Sequence, residues 1–470
     1  MMSQLSRQRV FFELKAALQG EVVVPGDYLY AQSVKIWNAA VNKLPAMIAL
    51  CENTTDISSV VKIAGEHHWK LTVKGGGHDW SGLALAEDGI VIDLSRMRGV
   101  KIDAAKKEAT IEGGATAGDL LAAADQFDLV AVTGTGSTIG MAALTMGGGY
   151  GPLTPKYGLA LDNLISAELV LSDGRLVNAG EKENPDLFWA IKGGGGNFGV
   201  VVSMKIRLHD AQPVLSGQFL YPWSEAGRVM MACNEYAKSA PDELSVITGI
   251  VPGPAGECAV IVALCWCGDL HAGEMFFADF SREGKPLTQK VQQMRYKDLL
   301  SQFDTFETKG NYNDMKTRWL PDLTDESLAV LMKAGAERTS DQSTILLQYF
   351  YGKPARIPES SSAFGLRKPH ILVLIISSWS AGDDVYRNIH TKWSRELSND
   401  LAQHALPGGY PNVLTTEEPE QVLAAYGKNL ARLQRTKSFF DPEKMFSSYP
   451  ISLPATIRMH KNKNLVKSFR

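Results

Sequence analysis

Cysteine is scarce in this chain, and the little there is follows no pattern. The 470 residues hold five, Cys51, Cys233, Cys258, Cys265 and Cys267. That is an odd number with no spacing of the kind that holds zinc. Cys265 and Cys267 flank Trp266 in a strand-like run, where such neighbours share a face but rarely bridge. Buried reduced thiols are expected, and no metal site. No run of about 18 apolar residues occurs, so no membrane-spanning helix is expected. Charge of either sign is not in excess, with 48 Lys and Arg against 51 Asp and Glu. This argues against nucleic acid or an anionic membrane as partner. The opening Met-Met-Ser-Gln-Leu-Ser-Arg-Gln-Arg-Val lacks the apolar core of a secretory signal, and cytoplasmic residence is the expectation. Internal repeats and low-complexity tracts are missing as well.

Glycine, by contrast, is plentiful at 43 residues and gathers in clusters before position 200. Val73 to Gly82 reads Val-Lys-Gly-Gly-Gly-His-Asp-Trp-Ser-Gly, which sets His78 directly behind three glycines at the end of a strand-like run. Such a loop lets several N–H groups converge on an anion such as a pyrophosphate. Alone it reads rather more readily as a glycine turn with a surface histidine. Thr133 to Gly151 holds two more glycine-rich turns around Met141-Ala142-Ala143-Leu144, and Gly193 to Gly199 reads Gly-Gly-Gly-Gly-Asn-Phe-Gly. Glycine at that density is costly to order and marks close backbone approach to a ligand or another segment. Gly134-Thr135-Gly136 begins a G-x-G, but the following residues do not complete the dinucleotide spacing, nor does a long helix follow. Asp173-Gly174 reads as a hairpin turn.

Length points to two or three domains. Residues 1–210 carry short β-like runs at Lys70–Val73, Gly89–Leu94, Ala109–Glu112, Leu164–Leu171 and Val200–Leu208. Helices are expected over Thr55–His67 and over Thr116–Phe127, with Thr116 as N-cap. Near Ala211 the texture changes to longer strands (Ala259–Cys267, Thr344–Tyr351, His370–Trp379) and helices (Ala226–Lys238, Asp325–Ala336, Asp384–Gln403). One sheet backed by helices suits this α+β pattern. After Thr415 a helix from Pro419 through Arg435 reads as a cover for the first region.

These clusters, in this order, resemble the berberine-bridge-enzyme-like branch of the vanillyl-alcohol-oxidase (PCMH-type) flavoproteins. The resemblance runs from Val24-Pro25-Gly26 and Trp37-Asn38 to Ala424-Ala425-Tyr426-Gly427 and Asp441-Pro442. It implies an α+β fold: a FAD-binding domain of two α/β subdomains from residues 1–210 and 415–470, and a substrate domain over 211–414 with an antiparallel sheet backed by helices. By match, Lys74, Gly75, Gly76, Gly77 and Asp79 line the FAD pyrophosphate, Gly82 is a further cofactor contact, and His78 is the residue linked to the 8α methyl of the flavin. A neutral imidazole is a suitable nucleophile for that carbon. Bicovalent members carry cysteine where this chain has Gly136, so FAD held by the single bond to His78 is expected. Thr135, Thr138, Ile139, Gly140, Gly147, Asp162, Gly199, Val200 and Asn412 complete the implied cofactor contacts.

Tyr150 and Tyr410, the latter in a Tyr-x-Asn motif with Asn412, match the catalytic candidates. A phenol serves as base only with its pKa brought well below about 10. The strand Ile371–Ile375 offers only aliphatic residues where relatives assist with lysine and glutamine, so Tyr150 reads equally as cavity wall. His370 reads as a domain-surface residue. Ile139 falls where relatives decide between oxygen and other acceptors, and isoleucine does not settle the choice. The implied activity is oxidation of a small apolar or polycyclic metabolite, for example of secondary metabolism, with O2 or another electron acceptor. A dehydrogenase or a non-catalytic flavin scaffold stands as alternative, in a monomer or homodimer.

Overall fold

The computed structural model describes residues 4–254, 256–304, 310–447 and 451. Its first sheet comprises β1 (Glu21–Val23), β2 (Met47–Leu50), β3 (Leu71–Lys74) and β4 (Ile90–Asp93), in the order β1-β2-β4-β3. β2 and β3 run parallel to β4, and β1 is antiparallel to β2. Every residue of β2 and β4 is buried, as parallel strands covered on both faces require. One cover is the helix Thr54–Glu66, started by the Asn53 side chain accepting from the Asp56 N–H. Its Ile57, Val60, Val61 and Ala64 recur at helical spacing and join the core beneath.

After β5 (Val100–Asp103), β6 (Glu108–Glu112) and the short β7 (Leu129–Val130) come β8 (Leu164–Val170), β9 (Leu176–Gly180), β10 (Val200–Arg207) and β11 (His209–Asp210). Five of them form an antiparallel sheet in the order β5-β6-β10-β8-β9, while β7 pairs with β11. Helix Ala117–Asp125 packs on this layer, and Thr116 and Asp119 cap it reciprocally.

The third sheet is antiparallel throughout. Its strands are β12 (Val214–Pro222), β13 (Leu244–Pro252), β14 (Cys258–Trp266), β15 (Thr288–Met294), β16 (Tyr312–Leu320), β17 (Thr344–Phe350) and β18 (His370–Trp379), in the order β15-β12-β14-β13-β17-β18-β16. On one face Val246, Val260, Leu347, Val373 and Ile375 share a core with Met230, Phe277, Leu331 and Leu397 of four helices. On the other, Trp319, Phe350 and Leu372 belong to the core that also holds Tyr150, Leu121 and Tyr410. The sheet is therefore clamped between its own helices and the first two layers.

Several expectations need correction. β12, β13, β15 and β16 and the helix Gln4–Ala17 were not foreseen. Asp384–Gln403 is α-helical only over Arg387–Leu401. The tail helix is two, Pro419–Tyr426 and Leu430–Phe440, because Gly427 takes φ +46° between them. Met141–Gly147, the apolar segment between two glycine-rich turns, forms a short helix. Asp173-Gly174 does turn β8 into β9, with Gly174 at φ +77°. All five thiols are unbridged, four of them buried and Cys258 half-buried. No helix among the described residues is long and apolar enough to cross a membrane.

Candidate active site

β3 ends at Lys74 and releases the chain into Gly75–Gly77. The N–H groups of these three glycines donate to no protein acceptor among the described residues. Gly76 is exposed and Gly77 sits at φ +73°. A row of unspent N–H groups with a left-handed residue is a nest for an anion, so the loop fits a diphosphate. Gly76 lies back to back with Gly140; a Cβ on Gly76 would fall 2.4 Å from the Gly140 nitrogen. The neighbouring side chains organise the loop. Lys74 Nζ is buried against Asp93 at 2.9 Å and donates to the Ser33 carbonyl at 2.6 Å. The Asp79 carboxylate accepts from the Ser81 N–H, the Ser81 hydroxyl and the Ala84 N–H. Gly82 turns the chain at φ +75°.

His78 follows, half-buried, with Nε2 2.6 Å from Thr138 Oγ1 and Trp37 stacked at 6.2 Å. Thr138 belongs to the loop Thr135–Gly140, which also contains Gly136 and Ile139. So the structure brings the first two glycine clusters to one place. The end of the second cluster meets Tyr410 and Asn412. Asn412 fills the space a Cβ on Gly147 would take, 1.8 Å from Oδ1, and donates to the Tyr410 phenol oxygen at 2.8 Å. The Gly149 N–H donates to the same oxygen at 3.1 Å. Burial raises the Tyr410 pKa, and these bonds oppose the rise.

Tyr150 lies edge-on to Tyr410 at 4.8 Å and bonds to His370 at 2.9 Å. The Nδ1 of His370 sits 2.7 Å from the Lys368 carbonyl, which can only accept. Nδ1 therefore carries the proton, Nε2 is the acceptor, and the Tyr150 hydroxyl donates to it. Desolvation pushes the His370 pKa down to about 3 and Tyr150 well above 10. Tyr150 thus stays a phenol, and His370 is a buried partner rather than a domain-surface residue.

A family model described as FAD binding domain matches residues 45–180, the span of the first two glycine clusters. An uncharacterized FAD-linked oxidoreductase of Bacillus subtilis is 28% identical over 93% of this chain and 98% of its own. The (R)-6-hydroxynicotine oxidase of Paenarthrobacter nicotinovorans is 29% identical over 92% of this chain and 96% of its own. The crystal structure of 6-hydroxy-D-nicotine oxidase from Arthrobacter nicotinovorans has a TM-score of 0.82 at 28% identity, covering 92% of this chain and 97% of that one. Berberine bridge enzyme from Eschscholzia californica shares the fold, with a TM-score of 0.84 at 21% identity over 95% and 99% of the two chains. A glucooligosaccharide oxidase from Acremonium strictum, described by its 6-S-cysteinyl, 8α-N1-histidyl FAD, matches with a TM-score of 0.82 at 25% identity over 93% and 97%. The chain is an FAD-linked oxidoreductase. Its fold is that of berberine bridge enzyme and the PCMH-type flavoproteins.

Three of the residues matched to cofactor contact also make contacts within the protein. Asp162 forms a two-pronged pair with Arg367, both bonds 2.9 Å, and accepts from the Leu159 N–H. Gly199 abuts the Val170 carbonyl, and Val200 pairs with Val170 and points into the core of the first sheet. The sheet register shows which residues of the strand Ile371–Ile375 share a face. Only alternate residues of β18, Leu372, Leu374 and Ile376, face the flavin loops, because the register of β16–β18 and β17–β18 puts Ile371, Val373 and Ile375 among the helices. The same registers place Gln348 of β17 beside Leu372 and Ile247. Gln348 is 7% exposed and has no hydrogen-bond partner among the described residues. The sequence signal for it was a lone polar residue in the apolar run Thr344–Tyr351, legible only once that strand's facing neighbours were known.

Proposed function

We propose that this enzyme holds FAD by a single covalent bond to His78 and oxidises a small, largely apolar molecule at a carbon bearing oxygen or nitrogen. The reading takes residues 1–210 with 415–470 as the FAD-binding domain and 211–414 as the substrate domain. The observation that carries it is His78 bonded to Thr138 directly behind three glycines with unspent N–H groups, with no thiol at position 136 for a second link. Gly75, Gly76 and Gly77 hold the pyrophosphate, and Thr135, Ile139, Gly140, Gly147 and Asn412 enclose the ring. When bound, the flavin takes a hydride equivalent from the substrate carbon and passes two electrons to an acceptor, for which we favour dioxygen.

The protein's part is orientation, exclusion of water and proton handling. Leu372, Leu374, Ile376, Leu346 and Ile247 supply an aliphatic wall, which suits a polycyclic or aliphatic body better than a sugar. Gln348 offers that body one hydrogen-bonding anchor. Tyr410 is the residue placed to take the substrate proton, since two donors on its oxygen lower the cost of the phenolate. Tyr150 donates to neutral His370 and so serves as rigid backing.

Acid precipitation and mass analysis of the His78 peptide test the attachment; flavin found wholly in the supernatant refutes it. Anaerobic bleaching of the flavin by candidate alcohols and amines tests the chemistry. Re-oxidation in air with peroxide formed supports the oxidase reading, and a flavin that stays reduced in air rejects it.

A further inference from the structure

The loop that carries Thr138 is gripped from outside the first two layers. Its backbone carbonyls at Ser137 and Ile139 accept from the Gly118 and Ala117 N–H groups, at 2.7 and 2.9 Å. On the opposite side the Ser137 N–H donates to Asp304 Oδ1 at 2.7 Å, and the Ser137 hydroxyl donates to Asp304 Oδ2. Asp304 directly follows helix Tyr296–Phe303, which connects β15 towards β16 of the seven-stranded sheet. A carboxylate at a helix C-terminus opposes the helix dipole, so nothing in its own helix favours an acid there. What it gains is the clamp on Ser137, one residue from Thr138.

We infer that Thr138 and Asp304 are positioning residues for flavin attachment, Thr138 by fixing the orientation of the His78 ring and Asp304 by holding the loop that presents Thr138. The inference rests on His78 being the attachment site. Thr138 Oγ1 and His78 Nε2 share a hydrogen bond of 2.6 Å, which holds the imidazole in one orientation. The new bond joins an imidazole nitrogen of His78 to the 8α carbon. One proton leaves the methyl group and one leaves the imidazole. The two electrons released are taken by dioxygen, which with both protons becomes hydrogen peroxide. Without the hydroxyl the ring loses that hold on its orientation. Because Asp304 lies in the substrate region, attachment becomes dependent on that region having docked over the flavin loop.

The test compares wild type with Thr138→Val, Thr138→Ser, Asp304→Asn and His78→Ala. Total FAD, acid-stable FAD, fluorescence of the protein band on a denaturing gel and melting temperature are measured for each. Wild type and Thr138→Ser should hold acid-stable flavin. Thr138→Val and Asp304→Asn should bind FAD and melt normally but attach it about tenfold more slowly, the scale of one lost hydrogen bond to a charged or reacting group. Wild-type rates in both variants would overturn the inference. Should Thr138→Val bind no FAD, Asp304→Asn decides alone, since it touches neither His78 nor the glycine nest. Wild type releasing all its flavin, or His78→Ala retaining it, marks failure of the attachment site itself.

Discussion

Gln348 and His370 are two polar groups in the same interior, and they illustrate opposite solutions to burial. Gln348 has no hydrogen-bond partner among the described residues but is not closed off from solvent, and an amide that loses its water to a ligand without a new partner costs about 1–3 kcal/mol. A substrate that supplies the partner avoids this cost. Gln348→Leu should therefore raise KM for the best substrate about tenfold with little change in kcat, while the protein melts at or above the wild-type temperature. A variant that melts lower with unchanged KM would make Gln348 a structural residue. His370, by contrast, is fully satisfied as the neutral base between Lys368 and Tyr150. An unfolded histidine titrates near 6.5, whereas folded His370 does so at about 3. Between those values the unfolded chain binds a proton that the folded chain refuses. Stability is full above 6.5 and falls as pH drops below it, by about 1.4 kcal/mol per unit, or about 2 kcal/mol at pH 5. Glutamine can accept from Tyr150 and donate to Lys368 without titrating. Urea midpoints of His370→Gln should accordingly change less between pH 7 and 5 than those of wild type; parallel curves would refute the assignment.

At the level of elements, the site is made by loops that meet where no side chain fits. A methyl on Gly76 would lie 2.4 Å from the Gly140 nitrogen and 2.8 Å from its Cα. Backbone cannot yield as a flexible side chain can. Gly76→Ala should push the loops apart and abolish flavin retention, read as the ratio of visible to protein absorbance, while β3 and its sheet remain. Retained flavin would show that the loop accommodates the methyl. Much of this architecture was legible beforehand. Strict patterns gave Ala226–Lys238, Asp325–Ala336 and His370–Trp379 to the residue, and the Thr116 cap was visible from residue type. β15 escaped because Thr-Gln-Lys-Val-Gln-Gln-Met is a mostly exposed edge strand with no apolar alternation to betray it. β16 escaped because Asp314, Lys316 and Arg318 find partners in or near helix Arg387–Leu401 and the tail, which no local pattern encodes. The same holds for the site. His78 and Tyr410 stand in readable motifs, but the bonds to Thr138 and from Tyr150 to His370 join positions 60 and 220 residues apart.

Across the whole molecule, one ion pair ties the layer carrying β8 to the loop entering β18. Arg367 and Asp162 have side chains only 2% and 8% exposed, and Arg367 also donates to the Ser362 hydroxyl. Burying both charges carries a desolvation cost that the paired geometry roughly repays, so the pair adds little net stability while intact. Breaking it is another matter. Arg367→Met strands the Asp162 carboxylate in the interior, and Asp162→Asn strands the guanidinium. Each single variant should lose about 3–5 kcal/mol of unfolding free energy. The double variant, with neither charge, should recover most of that loss and lie within about 2 kcal/mol of wild type, a coupling of several kcal/mol between the two positions. Urea denaturation of the four proteins closes the cycle. Additive losses would mean that water reaches the pair, and that the packing of Tyr150, Trp319, Phe350 and Leu372 holds the sheet to the flavin loops on its own.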